Sequence, residues 1–133
     1  MATMNFLLCI DGSENADRAA RYLGRLASWS DVKVTLTHII DEREARKHLG
    51  DQEDRELAER RIQGAVEALD KAGVDYEKLI QIGDPAEVIL EMGPNYDGIV
   101  MGYVGHGMLS TVIMGSVSEK VLNETKRPVT LVP

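Results

Sequence analysis

Cysteine is nearly absent from this sequence. Cys9 is the only one among 133 residues, so no internal disulfide can form and the fold has to be held by an apolar core. Cys9 sits inside an apolar run and reads as a buried structural thiol, with the cytoplasm as the expected compartment. Positive charge is also scarce. Fifteen Lys and Arg against 22 Asp and Glu give a formal net charge of −7, and the basic residues are scattered among acids. That pattern excludes the basic stripe of a nucleic-acid binder. No apolar run approaches the ~20 residues that span a bilayer, so no membrane partner is expected. Residues 1–10 lack a basic leader and run straight into Asp11, so a signal peptide is not expected either. Two familiar phosphate loops are missing. There is no GxxxxGK(S/T), and Gly105-His106-Gly107 is followed by Ser110 rather than a third glycine, which leaves GxGxxG only partly matched.

What is present is the composition of an ordinary globular chain, 44% apolar and 28% charged. Its length suits one domain, residues 1–133. Residues 5–10 form a continuous apolar run, the pattern of a strand covered on both faces. Asp11-Gly12-Ser13 then signals a turn in which Ser13 can cap a helix. That helix is expected over residues 15–29, with Ala16, Ala20, Leu23 and Ala27 inward and Arg18, Arg21 and Arg25 toward water. A second strand starts at Val32 and becomes more apolar toward Ile39-Ile40. Residues 41–56 are dense in charge and read as a surface connection, partly helical. A second helix, residues 53–72, carries Leu57, Ala58, Ile62, Ala65, Val66 and Leu69 on one face and has Gly73 as its C-cap. Residues 75–82 read as a polar edge strand. Asp84-Pro85-Ala86-Glu87 starts a short helix that stops by Gly93-Pro94. A fourth strand covers residues 98–101, a helix with Val117, Val121 and Leu122 begins at Ser116, and residues 128–132 make the last strand. Strict alternation of strand and helix predicts an α/β fold: a five-stranded parallel sheet, order 3-2-1-4-5, with two helices on each face. Ligands of such sheets bind at the carboxyl ends of the strands, where the strand order reverses.

The fourth strand ends in glycines. Gly102, two residues, Gly105, nine residues, then Gly115-Ser116 lead into a helix whose N-terminal amides suit an anion. On these residues, with Asp11-Gly12-Ser13, the run from His38 to Arg43, and Lys126-Arg127-Pro128-Val129, the chain resembles the nucleotide-binding branch of the universal stress protein family. That branch carries the motif G-x2-G-x9-G-S/T. The resemblance covers essentially the whole chain and implies an adenine nucleotide alpha hydrolase-like fold. It also implies ATP as the ligand, with Mg²⁺ or Mn²⁺ on its phosphates. Asp11 would lie near ribose or adenine and Ile39 would contact the adenine. Met101 and Gly102 would line the nucleotide, while Gly105, Gly115, Ser116 and Val117 would hold the phosphates. A regulatory role in the stress response and a homodimer through residues 129–132 are implied as well, and that apolar edge strand is open to pairing.

Other readings of the same residues stand beside this one. Ser116-Val117-Ser118-Glu119 is a capping box, so Ser116 can serve as a helix cap. Asp11 can be an ordinary turn acid and His106 a solvated loop residue. His38 and His48 show no metal-ligand spacing. Leu109, Val112 and Ile113 fit a packed turn, and residues 41–56 can close over the base as a lid. No Lys or Arg occurs between Leu79 and Glu119. Charge on a triphosphate would therefore fall to backbone amides, a metal ion, or Arg43 or Arg46 reaching in from the other loop. No catalytic constellation is visible, so binding with little or no hydrolysis is expected. The alternatives are a slow ATPase or autophosphorylating phosphotransferase, and a nucleotide-free interaction module.

Overall fold

Each pair of successive strands is separated by helix among the described residues. A computed structural model describes residues 2–45, 51–104 and 114–133. Its elements are β1 (Met4–Cys9), α1 (Glu14–Leu26), β2 (Val32–Asp41), α2 (Glu42–Ala45), α3 (Asp51–Ala72), β3 (Asp75–Gly83), α4 (Pro85–Met92), β4 (Gly98–Gly102), α5 (Ser116–Glu124) and β5 (Val129–Val132). All strand pairs are parallel and the order is β3-β2-β1-β4-β5, as the sequence predicts.

The apolar first strand takes the centre because both of its faces are covered. Side chains alternate across a strand. Leu8 and Ile10 pack with Ala16, Ala20, Leu23, Ile62, Ala65 and Leu69 of α1 and α3. Leu7 and Cys9 pack on the opposite face with Ala86 and Ile89 of α4 and Val121 of α5. Strand β3, with Asp75, Glu77 and Lys78 exposed, forms one edge. The caps behave as local chemistry dictates. Asp84 accepts from the Glu87 amide at 3.1 Å. Gly73, at φ +70°, ends α3 while the Val74 amide reaches the Leu69 carbonyl at 3.1 Å, a Schellman closure.

Two boundaries differ from expectation. Helix α1 stops at Leu26 rather than Trp29. The next amides turn back by only three residues, Ser28 to Arg25 and Trp29 to Leu26, and Trp29 is 80% exposed, so no core contact draws the last turn into register. After α4 the chain adds a 3-10 turn, Gly93–Asn95, the form left open once Pro94 removes an amide donor.

Helix α1 meets α3 where Asp17 faces Gly64. A Cβ added at Gly64 would stand 2.5 Å from Asp17 Oδ2, and Asp17 Oδ1 is buried with no hydrogen-bond partner. Burial raises the Asp17 pKa, Arg21 opposes the rise, and Asp11, Glu14 and Glu67 reinforce it. A carboxyl whose folded pKa lies above its unfolded value favours folding less once it ionises. Asp17→Asn is therefore expected to raise the thermal unfolding midpoint at pH 7. The gain should shrink as pH falls through the folded pKa and vanish below the unfolded value; melting both proteins across that range checks it.

Candidate nucleotide site

A cavity of about 260 Å³ opens at the carboxyl ends of β1, β2 and β4. Seven of the eight sequence-predicted positions line it: Asp11, Ile39, Met101, Gly102, Gly115, Ser116 and Val117. Gly105 lies outside the described residues, as do His48, His106, Leu109, Val112, Ile113 and Arg46.

The turn after β1 is built from its own side chains. Asp11 Oδ1 accepts from the Ser13 amide at 2.9 Å, and Ser13 Oγ accepts from the Ala16 amide at 3.1 Å to cap α1. Gly12 sits at φ +91°, a left-handed conformation that side chains resist. Across the sheet, β4 pairs Met101 with Cys9, and β2 pairs Thr37 with the same residue. Ile39, two residues on from Thr37 in β2, therefore extends the same face beyond the end of β1. Cys9, Ile39, Pro85, Ile89, Met101 and Val117 give the cavity an apolar wall, while His38, Asp11, Asp41, Glu44 and Arg61 give it a polar one, the last four charged. Burial pushes the Cys9 thiol well above its ordinary pKa, with Asp11 adding to the shift, so it is a protonated wall group and not a nucleophile.

Helix α5 enters the cavity at its N-terminus. Gly115, not Ser116, is the N-cap, and no side-chain cap bond forms there among the described residues. The capping-box reading of Ser116 fails for this reason: Ser116 is already the first helical residue, one position too late for its hydroxyl to reach back over the turn. The Gly115 amide instead donates to the Tyr103 carbonyl at 3.1 Å, and its carbonyl accepts from the Glu119 amide at 2.9 Å. Ser118 Oγ donates to the Gly102 carbonyl at 2.9 Å, tying α5 to the end of β4.

Among the described residues the cation lining the cavity is Arg61 of α3 rather than Arg43; Arg46, the other arginine the sequence pointed to, lies outside them. Arg43 turns outward and grips Asp41, Nε to Oδ1 at 3.1 Å and Nη2 to Oδ2 at 2.8 Å, with its side chain 79% exposed. Arg61 holds Glu44 in a fork, Nη2 to Oε1 at 2.7 Å and Nη1 to Oε2 at 3.2 Å. Its stem lies on the β1 turn, where a Cβ at Gly12 would meet Arg61 Cγ at 3.0 Å. A signal for this was present: Arg61 sits between Ala58 and Ala65 on the buried stripe of α3, the helical spacing that should hold an apolar residue. His38 also belongs to the site. Its Nδ1 lies 2.7 Å from the Ile10 carbonyl and must donate to it, leaving Nε2 buried without a hydrogen-bond partner. Burial lowers the His38 pKa and Arg61 lowers it further, while the Ile10 bond, Asp11 and Glu44 pull the other way. Folding thus favours neutral His38. Its contribution to stability is present above the unfolded pKa and is lost as pH falls through that value, levelling off below the folded one. A falling unfolding midpoint from about pH 7 to pH 5, absent in His38→Asn, is the expected result.

The universal stress protein family model matches residues 3–133. The chain belongs to the universal stress protein family. A family member of Thermus aquaticus is 35% identical over an alignment of 133 positions that covers 95% of this chain and 96% of the relative. The solved structure of a universal stress protein of Methanocaldococcus jannaschii matches with a TM-score of 0.78 at 28% identity, covering 97% of this chain and 94% of that one. A universal stress protein from Archaeoglobus fulgidus, solved in complex with dAMP, matches with a TM-score of 0.77 at 22% identity over 100% of both chains. It shares the fold.

In this universal stress protein the cavity couples an apolar wall to a helix N-terminus, a pairing that suits a ligand with an apolar group at one end and an anion at the other. Among the described residues no three His, Cys, Asp or Glu side chains converge to hold a metal ion. No helix among the described residues is long and apolar enough to cross a membrane.

Proposed function

We propose that the cavity is an adenine-nucleotide site and that the chain is an ATP-binding regulatory protein of the stress response. The observation that carries this reading is the N-terminus of α5, with a glycine as its N-cap, opening on the same cavity as the apolar wall of Ile39 and Met101. The base lies against Ile39 and Met101, and Asp11 takes a ribose hydroxyl. The phosphates meet Gly102, Gly105 and the first amides of α5 at Gly115, Ser116 and Val117, with Mg²⁺ or Mn²⁺ sharing their charge. The dAMP complex of the Archaeoglobus relative supports the ligand class. Turnover is slow or nil, because the sequence carries no catalytic-loop signature or arginine finger. Two copies pair through β5, whose outer edge carries no strand; light scattering at micromolar concentration tests this, and a monomeric mass overturns it.

Denaturing the purified protein and assaying the supernatant for adenine nucleotide tests the site, as does titrating a labelled ATP analogue. ATP is expected to bind with moderate affinity in Mg²⁺ and about tenfold or more weakly in EDTA, since removing the ion leaves the triphosphate charge to backbone dipoles alone. Tight binding that survives EDTA overturns the metal-dependent account.

A further inference from the structure

The outer face of α1 departs from the acidic character of the chain. Ala16, Ala19, Ala20 and Leu23 bury the inner side of the helix. At 3.6 residues per turn, Arg18, Arg21, Tyr22 and Arg25 fall on the opposite side. Past Leu26 the chain turns by three-residue steps, the Trp29 amide donating to the Leu26 carbonyl at 3.0 Å. Trp29 therefore stands in line with Leu26, and Leu26 with Tyr22 one turn earlier. Trp29 is 80% exposed and Tyr22 44%, the two most open aromatic rings among the described residues, and neither belongs to the core. The acids of the helix are engaged elsewhere. Glu14 pairs with Arg18 at 3.8 Å, and Arg18 also donates to the Pro133 carbonyl at 2.6 Å. Asp17 turns aside toward Gly64. Arg25, three residues from one ring and four from the other, is the charge that borders both.

Trp, Tyr and Arg are the side chains that carry most of the binding energy at protein interfaces. We propose that the ridge Tyr22-Leu26-Trp29, with Arg21 and Arg25 beside it, is a docking surface for an acidic peptide segment of a partner protein, one that carries two apolar side chains. Charge decides the class of partner. With a net charge of −7, the body of the protein repels a long polyanion or an anionic bilayer even as the ridge attracts it. A short segment covers only the ridge, and screening over about 8–10 Å hides the rest of the body from it. A basic segment would meet guanidinium groups on both sides of Tyr22. The rings set the spacing. One helical turn and one 3-10 turn separate them by about 12 Å along the axis, the reach of side chains about four residues apart on one face of an extended peptide. None of these residues lines the cavity, so the surface stands whether or not nucleotide binds.

Trp29 is the only tryptophan in the chain, so its fluorescence reports on the surface directly. The probe is a labelled synthetic peptide of Asp and Glu with Leu and Phe four residues apart. One control peptide replaces every acid by Lys, and another replaces Leu and Phe by Ser. The acidic peptide is expected to shift Trp29 emission to the blue, to shield it from acrylamide, and to bind the full chain at least about tenfold more tightly than either control. Its binding should weaken as salt rises from about 50 to 500 mM. By anisotropy of the labelled peptide, Trp29→Ala and Arg25→Glu should each weaken binding at least about fivefold. Their unfolding midpoints should stay within about 2 °C of wild type, since both side chains are exposed. Arg55→Glu makes the same charge change beside Lys78 and Ile82 near the β3 edge, and should cost less than about twofold. Equal binding of the acidic and basic peptides, or an unshifted Trp29 at millimolar acidic peptide, overturns the proposal. Equal losses in Arg25→Glu and Arg55→Glu overturn it too, by reducing the attraction to net charge. A DNA duplex or phosphatidylserine vesicles that shift Trp29 where the acidic peptide does not would overturn it in favour of that class.

Discussion

Gly102→Val is expected to cost about 3 kcal/mol of stability, the upper range for forcing methyl groups into a filled space, and to lower the unfolding midpoint by ~10 °C. A Cβ at this position would stand 2.8 Å from Asn15 Cβ, 3.0 Å from the Ala16 amide nitrogen and 3.1 Å from the Asn15 carbonyl carbon. Two of those atoms are backbone, and neither side of the contact can withdraw. The first turn of α1 is fixed by the Ser13 cap, while the Gly102 carbonyl is held by Ser118. Gly102 also lines the cavity, so displacing it from α1 pushes the end of β4 into the site. Gly73→Ala provides the contrast. Nothing lies within 4 Å of a Cβ there, so only the strain of φ +70° opposes it, about 1 kcal/mol. Urea and thermal melts of the three proteins check the ranking, and equal losses at the two glycines would contradict it.

Arg61→Met is the second large effect. The substitution keeps most of the apolar stem that packs on Gly12 and removes the guanidinium that holds Glu44. The side chains of the pair are 18% and 32% exposed, between the surface and buried limits, so about 1–2 kcal/mol of stability should be lost. Arg61→Met/Glu44→Gln should recover most of it, because the double change removes both members of the ion pair together. A readout independent of stability accompanies this. With Arg61 gone and Glu44 released, the charges facing His38 from α3 and α2 turn more negative, so its pKa should rise toward that of an exposed histidine. Titration of the His38 ring by NMR measures this directly. An unmoved His38 would mean that the three residues do not form one electrostatic unit.

The sheet was legible from residue pattern alone because each strand announces its surroundings. The run Phe6-Leu7-Leu8-Cys9-Ile10 has no polar face and can only be central, whereas Glu77 and Lys78 place β3 at an edge. Turns written in short-range chemistry were equally plain: Ser13 over α1, Asp84 with Pro85 over α4 and Gly73 after α3. The first errors came where two local rules competed. Ser116 with Glu119 satisfies a capping box, yet Gly115 takes the cap because its carbonyl and amide are already engaged by Glu119 and Tyr103. The other miss was long-range. Arg61 is distant in sequence from every glycine of the motif, and only the packing of α3 on α1 and the β1 turn brings it to the cavity. An arginine on an apolar helical stripe was the available clue, and it deserves more weight than nearness in sequence when a counter-charge is sought. His38 was dismissed for want of metal spacing, and its role instead follows from a buried ring with one nitrogen bonded to Ile10 and the other unpaired.

The central claim is that one cavity holds base and phosphate together at the ends of β1, β2 and β4. A crystal structure of the full chain soaked with AMP tests it most directly. The account requires the adenine ring to lie against Ile39 and Met101 and the phosphate to lie within hydrogen-bond distance of the amides of Ser116 and Val117. An empty cavity at saturating AMP, or a nucleotide bound elsewhere with the α5 N-terminus untouched, would contradict it.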